Sequence, residues 1–449
     1  MPQPNSPQPS PLGRLALMPI VLFAKLLTAL LKATGRGSGT ALPGLLVSQY
    51  APFAFDQLVS QIPTVIAVTG TNGKTTTQTM LSVILAQSPR LRVLQNKAGA
   101  NLKQGILSEL LKQASPWGTL NFTHAVLEVE EATLPRIAKA LNPAVIAVTN
   151  LYRDQLDAYG EIDVTERYIH NGIAQCPAAV AVLNGDDPRT ARLTQPLTNE
   201  THYVSLPQDY AQYLPYEGDT STLTTDPRHT LSAAQIQIND DLTTTFTAQG
   251  AVRNDNLDQF TAQIASPGFF HVYNALTAVT IAKLLGIKNT AIQQGLARFE
   301  PAFGRGERVV KQRDGKSVTY RLLLVKNPAS FTLNLNLLKG VQSQKLMLAI
   351  NDNTADGKDV SWLWDSELEV LNEADVDWVV CTGVRAQDMR LRLKYAFRRH
   401  SLDQVIAVES MDDAIEKAFD RAEDGDTIFV LPTYTAMLYI RIQLWRLLE

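Results

Sequence analysis

The octapeptide GTNGKTTT, Gly70 to Thr77, holds residue types that could handle phosphate. Gly70 and Gly73 lack Cβ atoms, so backbone N–H groups around them can approach phosphate oxygens at a helix N-terminus. Lys74 supplies a point charge to the outer phosphates, and the Thr75 hydroxyl can ligate Mg²⁺. Thr71, Asn72 and Thr76 complete the candidate nucleotide-binding set. The spacing is a shortened variant of the G-x-x-x-x-G-K-[ST] loop, because Val68 stands where that pattern has its first glycine. A second candidate is the acidic group Glu128, Glu130 and Glu131, where a divalent cation would relieve mutual repulsion. Glu128 is its first candidate metal ligand, beside Thr75. Mg²⁺, a lysine and helix-terminal amides stabilise charge on a transferring phosphoryl group, whose acceptor is water, a hydroxyl or a carboxylate.

These residues need a strand, a turn and a helix to hold them. VIAV before Gly70 is a short apolar strand, and the segment after Gly73 has the apolar periodicity and length of a helix. Alternation of apolar strands and helical segments continues from Val65 to Ile287. It predicts an α/β fold with a mostly parallel, helix-flanked sheet and its ligand at the strand C-termini. The last third alternates too, with strands near Lys345 to Ile350, Trp378 to Thr382, Val405 to Val408 and Thr427 to Leu431, so a second, Rossmann-like α/β domain is expected. The chain divides into a tail and helical segment (1–54), a central domain carrying the phosphate loop (55–308) and a C-terminal domain (309–449).

Leu15 to Leu31 is the one stretch that suggests a membrane. Pro19 and Lys25 interrupt it, and its length is at the lower limit for a bilayer core of about 30 Å. A helix with Lys25, Lys32 and Arg36 around an apolar face is expected, packing on the body of the protein or touching a lipid surface, the first being preferred. Residues 1–13, rich in Pro, Ser and Gln, read as a disordered tail.

The 449 residues carry 41 Lys plus Arg against 44 Asp plus Glu, a net charge of −3, which leaves no global positive field for nucleic acid. Cys176 and Cys381 sit in apolar runs and read as buried structural thiols in a reducing cytoplasm. Neither lies in a nucleophile-like turn. A nucleophilic thiol has to be activated to a thiolate, so this chain offers no cysteine nucleophile.

GTNGKTTT resembles the phosphate loop of the Mur ligase superfamily, ATP-dependent enzymes that join an amine to a carboxylate. NKAGANL (Asn96 to Leu102), VIAVTNLYRDQLDAYG (Val145 to Gly160), VLNGDDP (Val182 to Pro188), FFHVYNALTAVTIAKLLGI (Phe269 to Ile287) and FGRGE (Phe303 to Glu307) are similar to further family segments in the same order. The resemblance implies Glu128 as a magnesium ligand, Asn274 facing the adenine and Arg305 near the γ-phosphate. His271 stands where most relatives have asparagine, and Asp154 and Gln155 stand where many read Asp-His, which leaves a second metal site open. Asp186 and Asp187 are either turn residues or direct participants. Only some 65 residues precede the first strand, too few for the UDP-sugar domain of peptide-building relatives.

With KNPAS (Lys326 to Ser330) and INDNTADGKDVSWLWD (Ile350 to Asp365), nearly the whole chain resembles the MurT family, the synthetase subunit of lipid II isoglutaminyl synthase. That resemblance implies amidation of the D-glutamate α-carboxylate of the lipid II stem peptide, through an acyl phosphate, with ATP and Mg²⁺. Ammonia would come from a class I glutaminase partner, GatD. Asp359 would complete that partner's Cys-His pair across the interface, while Asp352, Asp356 and Asp365 could instead fix the loop. Trp362 and Trp364 suit either an interface anchor or a buried strand. Many relatives carry a four-cysteine zinc ribbon; residues 194–265 here contain no cysteine, so zinc is not expected. The alternatives are a folylpolyglutamate-like ligase that adds a whole amino acid, and a non-catalytic nucleotide-binding subunit.

Overall fold

The computed structural model describes residues 11–33, 41–96, 99–152, 162–211, 229–239, 242–253, 255–256, 258–301, 305–338, 341–399 and 401–446. Asp154, Gln155 and the side chain of Arg305 lie outside the described residues.

Three helices, α1 (Pro11–Ala33), α2 (Leu42–Tyr50) and α3 (Phe53–Val59), precede the first strand. The central sheet then forms from β1 (Thr64–Thr69), β2 (Val93–Gln95), β3 (His124–Glu128), β4 (Val145–Val148), β5 (Val180–Asn184), β6 (Thr201–Ser205), β7 (Thr230–Ile238), β8 (Thr244–Val252) and β10 (Phe260–Ile264), with the short β9 (Asp255–Asn256) beside β8. Its order is β10-β8-β7-β6-β5-β4-β1-β3-β2. β1 through β7 pair in parallel, and β8 and β10 add antiparallel edge strands. The described residues of the cysteine-free segment therefore extend the sheet. In β10 buried and exposed residues alternate, as expected where one face meets water.

β1 is apolar on both faces because both are covered. Val65 and Ala67 pack with α3, α5 (Lys103–Gln113) and α6 (Leu134–Leu141). Ile66 and Val68 pack with α4 (Lys74–Ala86) and the helix of residues Phe269–Leu284 on the other face. Between α6 and that helix lies α7 (Ile162–Ala174), so Phe269–Leu284 is named α8, followed by α9 (Asn289–Ala297). The chain leaves β1 toward β2 on one side and β4 toward β5 on the other. That reversal opens a crevice at the carboxyl end of β1.

The second sheet starts with the antiparallel hairpin β11 (Arg305–Arg313) and β12 (Lys316–Leu323), which the sequence reading had not identified. Its order is β11-β12-β16-β13-β14-β15, with β13 (Gln344–Ala349), β14 (Val376–Thr382), β15 (Val405–Val408) and β16 (Thr427–Pro432) parallel to one another and to β12. Its helices are α10 (Pro328–Leu338), α11 (Ala386–Ala396), α12 (Met411–Arg421) and α13 (Tyr434–Arg446). The α/β fold expected for both halves is observed.

α1 packs on the body. Leu17, Val21 and Ala24 are buried, and Lys25 Nζ donates to the Lys112 carbonyl at 2.8 Å. α2 lies against α5, where the Gly44 amide donates to Ser108 Oγ at 2.8 Å. Among the described residues no helix is long and apolar enough to cross a membrane.

Candidate active site

Gly70 and Gly73 adopt φ of 115° and 89°, left-handed values that suit glycine, and Gly73 is the residue from which α4 starts. A Cβ on Gly73 would stand 2.2 Å from Asn274 Oδ1, so that glycine is required by space as well as by backbone. The result is a tight turn delivering the positive end of a helix to the carboxyl end of β1.

The loop is stapled to the turn after β4. Asn150 spans Asn72, accepting from its amide at 2.9 Å and donating to its carbonyl at 3.0 Å. The Thr71 hydroxyl pairs with the backbone of Tyr152, accepting from its amide at 3.0 Å. Asp187 accepts from the Leu151 amide at 2.7 Å and caps the short helix Pro188–Ala191. Burial pushes its carboxyl up to about 6, against the opposing effect of these amide donors. Asp186 holds the Leu206 amide at 2.7 Å and the Tyr273 hydroxyl at 2.5 Å, tying β5 to α8. Burial raises its pKa, and the Tyr273 hydrogen bond lowers it in part. Both aspartates brace loops through hydrogen bonds.

Thr75, in the first turn of α4, donates its hydroxyl to Glu128 Oε2 at 2.7 Å, at the end of β3. Asn101 donates to the other Glu128 oxygen at 3.3 Å. Asn96 clamps the strand end: its Oδ1 accepts from the Glu128 amide and its Nδ2 donates to the Glu128 carbonyl, both at 2.9 Å. The two neighbouring acids turn elsewhere. Glu131 pairs with Lys74 at 2.8 Å, and Glu130 accepts from the amide and hydroxyl of Thr133. Among the described residues no three His, Cys, Asp or Glu side chains gather as a metal cluster. Asn274, on α8, sits against Gly73 and accepts from the Thr77 hydroxyl at 3.3 Å, and Thr76 is buried in the first turn of α4. His271 is buried against Phe270.

The C-terminal domain reaches this loop. Lys326, on the segment after β12, donates to the Thr71 carbonyl at 2.9 Å, and Asn327 approaches Asn72 Oδ1 at 3.4 Å. Lys74 Nζ donates to the Gly70 carbonyl and approaches the Thr71 carbonyl at 3.5 Å. KNPAS was legible as an unusual segment, but nothing in its spacing pointed Lys326 at residues 255 positions away.

At the C-terminal ends of β13 and β16 the acidic loop is fixed by two aspartates. Asp356 accepts from the amide of Thr435 at 2.7 Å and from its hydroxyl at 2.5 Å, and Asp352 pairs with Arg385 at 2.7 Å. Asp359 is exposed, and hydrogen bonds from Ser361 hold its carboxyl below the usual aspartate range. Trp362 and Trp364 lie on a helical turn and separate: Trp362 packs edge-on against Phe331 at 6.0 Å, while Trp364 is exposed beside Tyr395. Cys176 and Cys381 are both buried, and burial pushes the Cys176 thiol up to about 11 and raises that of Cys381 further.

Residues 68–282 match the Mur ligase middle domain and residues 324–437 the MurT ligase C-terminal domain. The chain is 32% identical over 424 residues to the MurT subunit of lipid II isoglutaminyl synthase (glutamine-hydrolyzing) from Streptococcus pneumoniae, covering 90% of this chain and 92% of that one. The chain belongs to the MurT family. A Staphylococcus aureus MurT subunit is 29% identical over 457 residues, covering 95% of this chain and 97% of that one. A crystal structure of MurF from Acinetobacter baumannii is similar with a TM-score of 0.66 at 20% identity, covering 90% of this chain and 81% of that one. MurF ligase from Thermotoga maritima in complex with ADP gives 0.64 at 17%, covering 90% and 84%. At these identities the two structures speak for the fold, and the MurT relatives are named as subunits of a larger enzyme.

Proposed function

We propose that this chain is the synthetase subunit of a lipid II isoglutaminyl synthase. It amidates the D-glutamate α-carboxylate of the lipid II stem peptide, in peptidoglycan synthesis, with ATP and with ammonia from a GatD-like class I glutaminase. The supporting observation is the hydrogen bond from Lys326, in the C-terminal domain, to the Thr71 carbonyl, which brings that domain to the phosphate loop. The residues present fit a magnesium nucleotide: the Gly73 turn starts α4 at the carboxyl end of β1, and the Thr75 hydroxyl and Glu128 carboxylate already face one another. Thr75 and Glu128 would hold Mg²⁺, which when bound neutralises charge on the phosphate oxygens.

The substrate carboxylate attacks the γ-phosphorus as the bond to the β-phosphate oxygen breaks, giving an acyl phosphate and ADP. Lys74 and Lys326 stabilise the equatorial oxygens during the transfer, and Arg305 serves the same phosphate. Asn274 positions the nucleotide from the α8 side. Ammonia then adds to the acyl carbon, phosphate leaves with the bonding pair, and the added nitrogen loses a proton to give the amide. The crevice keeps water from the acyl phosphate while this happens. The nitrogen must come from elsewhere, since both thiols here are buried and poorly ionised. Asp359, exposed and ionised on a loop fixed by Asp352 and Asp356, is the acid offered to the glutaminase Cys-His pair.

The test mixes the purified chain with its glutaminase, lipid II, glutamine and MgATP. Amidated lipid II, seen by mass, is expected. ATP turnover with no change in the peptide mass, or activity with free glutamate and none with ammonia, would overturn the assignment.

A further inference from the structure

α1 is apolar on two faces, and among the described residues only one is buried. Leu17, Val21 and Ala24 pack inward, which already anchors the helix. Leu22, Leu26 and Leu30 repeat at four-residue spacing on the outside, joined by Phe23, and are 43%, 62%, 53% and 50% exposed. α2 adds Leu42 and Leu45, 41% and 49% exposed. Leu22, Phe23 and Leu26 thus present a large apolar surface to water, which marks an interaction site.

The charge of this region points to that partner's chemistry. From Met1 to Phe55 the sequence has four basic residues, Arg14, Lys25, Lys32 and Arg36, and no acidic residue, although the whole chain has a net charge of −3. Basic charge without acid in the same stretch of sequence as an apolar stripe is the pattern that binds the interface of an anionic bilayer without spanning it. No described helix is suited to spanning. The surface also adjoins the catalytic region: α2 packs on α5, and Asn101, just before α5, donates to Glu128.

We propose that α1 and α2 form a docking surface for an anionic lipid bilayer, with Leu22, Phe23 and Leu26 entering the interface. Its purpose rests on the reading that the acceptor is lipid-linked: a docked enzyme meets a substrate confined to the membrane plane with the crevice held at a fixed height.

The experiment is cosedimentation of the full chain with vesicles of phosphatidylcholine and phosphatidylglycerol in equal parts, and with phosphatidylcholine alone. The wild-type chain should pellet with the anionic vesicles, less with the neutral ones, and less again at high salt. Leu22→Gln combined with Leu26→Gln, both on the exposed side, should weaken binding by about tenfold or more at an unchanged unfolding temperature. Failure of the wild type to bind anionic vesicles, or equal binding by the variant, would overturn the proposal. So would a lipid-free dimer that the variant converts to monomer, because the stripe would then belong to a second copy. The assay contains no nucleotide, glutamine or acceptor, so it is independent of the amidation test.

Discussion

The ammonium groups of Lys74 and Lys326 converge on one acceptor, the Thr71 carbonyl oxygen, at 3.5 and 2.9 Å. Lys74 belongs to α4 and Lys326 to the C-terminal domain. Like charges brought this close repel one another, and a polyphosphate between them turns that repulsion into attraction. Lys326→Ala should therefore lower kcat by about 100-fold, as loss of one charge-stabilising donor does, with a much smaller change in nucleotide affinity. Lys326→Arg should recover part of the loss. The checks are steady-state kinetics and nucleotide titration. A loss of nucleotide affinity with kcat unchanged would assign Lys326 to ground-state binding instead. Lys74→Ala should abolish ATP use.

Thr75 and Glu128 act as a pair, since the hydroxyl of one rests on the carboxylate of the other. Glu128→Gln keeps the shape but removes the charge, so half-maximal activity should require at least about tenfold more Mg²⁺. Thr75→Ala should shift the same curve, and the double variant should be less than additive, because both remove one metal site. Additive shifts would mean that the two side chains serve different functions.

The phosphate loop was legible because its residue types are dictated by close approach. A Cβ on Gly70 would meet Thr149 and Asn150 and one on Gly73 would meet Asn274, and the apolar strand before them fixes where they sit. The strands β13 to β16 were legible for a related reason: buried parallel strands are nearly uniform apolar runs. Hairpin β11–β12, rich in Lys and Arg, lacks that signature because its polar residues face outward or pair across to α12, as Lys311 does with Glu416 at 2.6 Å. The three glutamates after β3 were read as one acidic group. Their separation among Thr75, Thr133 and Lys74 depends on contacts that only the folded chain creates. Asn150 and Lys326 were missed likewise: a staple 78 residues from its partner leaves no local pattern.

Asp187 gives a pH signature. Burial lifts its folded-state pKa to about 6, above the value of an aspartate in an unfolded chain. Between those two values the native state holds the extra proton, so this group makes stability fall as pH rises toward about 6 and adds no further slope above it. Asp187→Asn should remove that contribution. The wild-type-minus-variant difference in unfolding free energy should decline from about pH 4 to about pH 6 and then level off. Denaturant unfolding across that range is the measurement, and a difference that rises with pH would reverse the assignment.

Asp359 should separate the two nitrogen sources. Its carboxylate is exposed, ionised and presented by a loop that Asp356 fixes to Thr435, so it contributes little to the fold of this chain. An acid that orients the imidazole of a Cys-His pair is worth about 100-fold or more in turnover, and the amide isostere supplies the wrong hydrogen-bonding pattern for that task. Asp359→Asn in the reconstituted complex should therefore suppress glutamine-dependent amidation by that factor while leaving ammonia-dependent amidation and ATP binding at the wild-type level. Asp356→Ala should weaken the glutamine route too, through a loosened loop, but with lower affinity between subunits. Equal rates with glutamine for Asp359→Asn and wild type would show that the glutaminase completes its own triad, and the loop would then be a docking element alone.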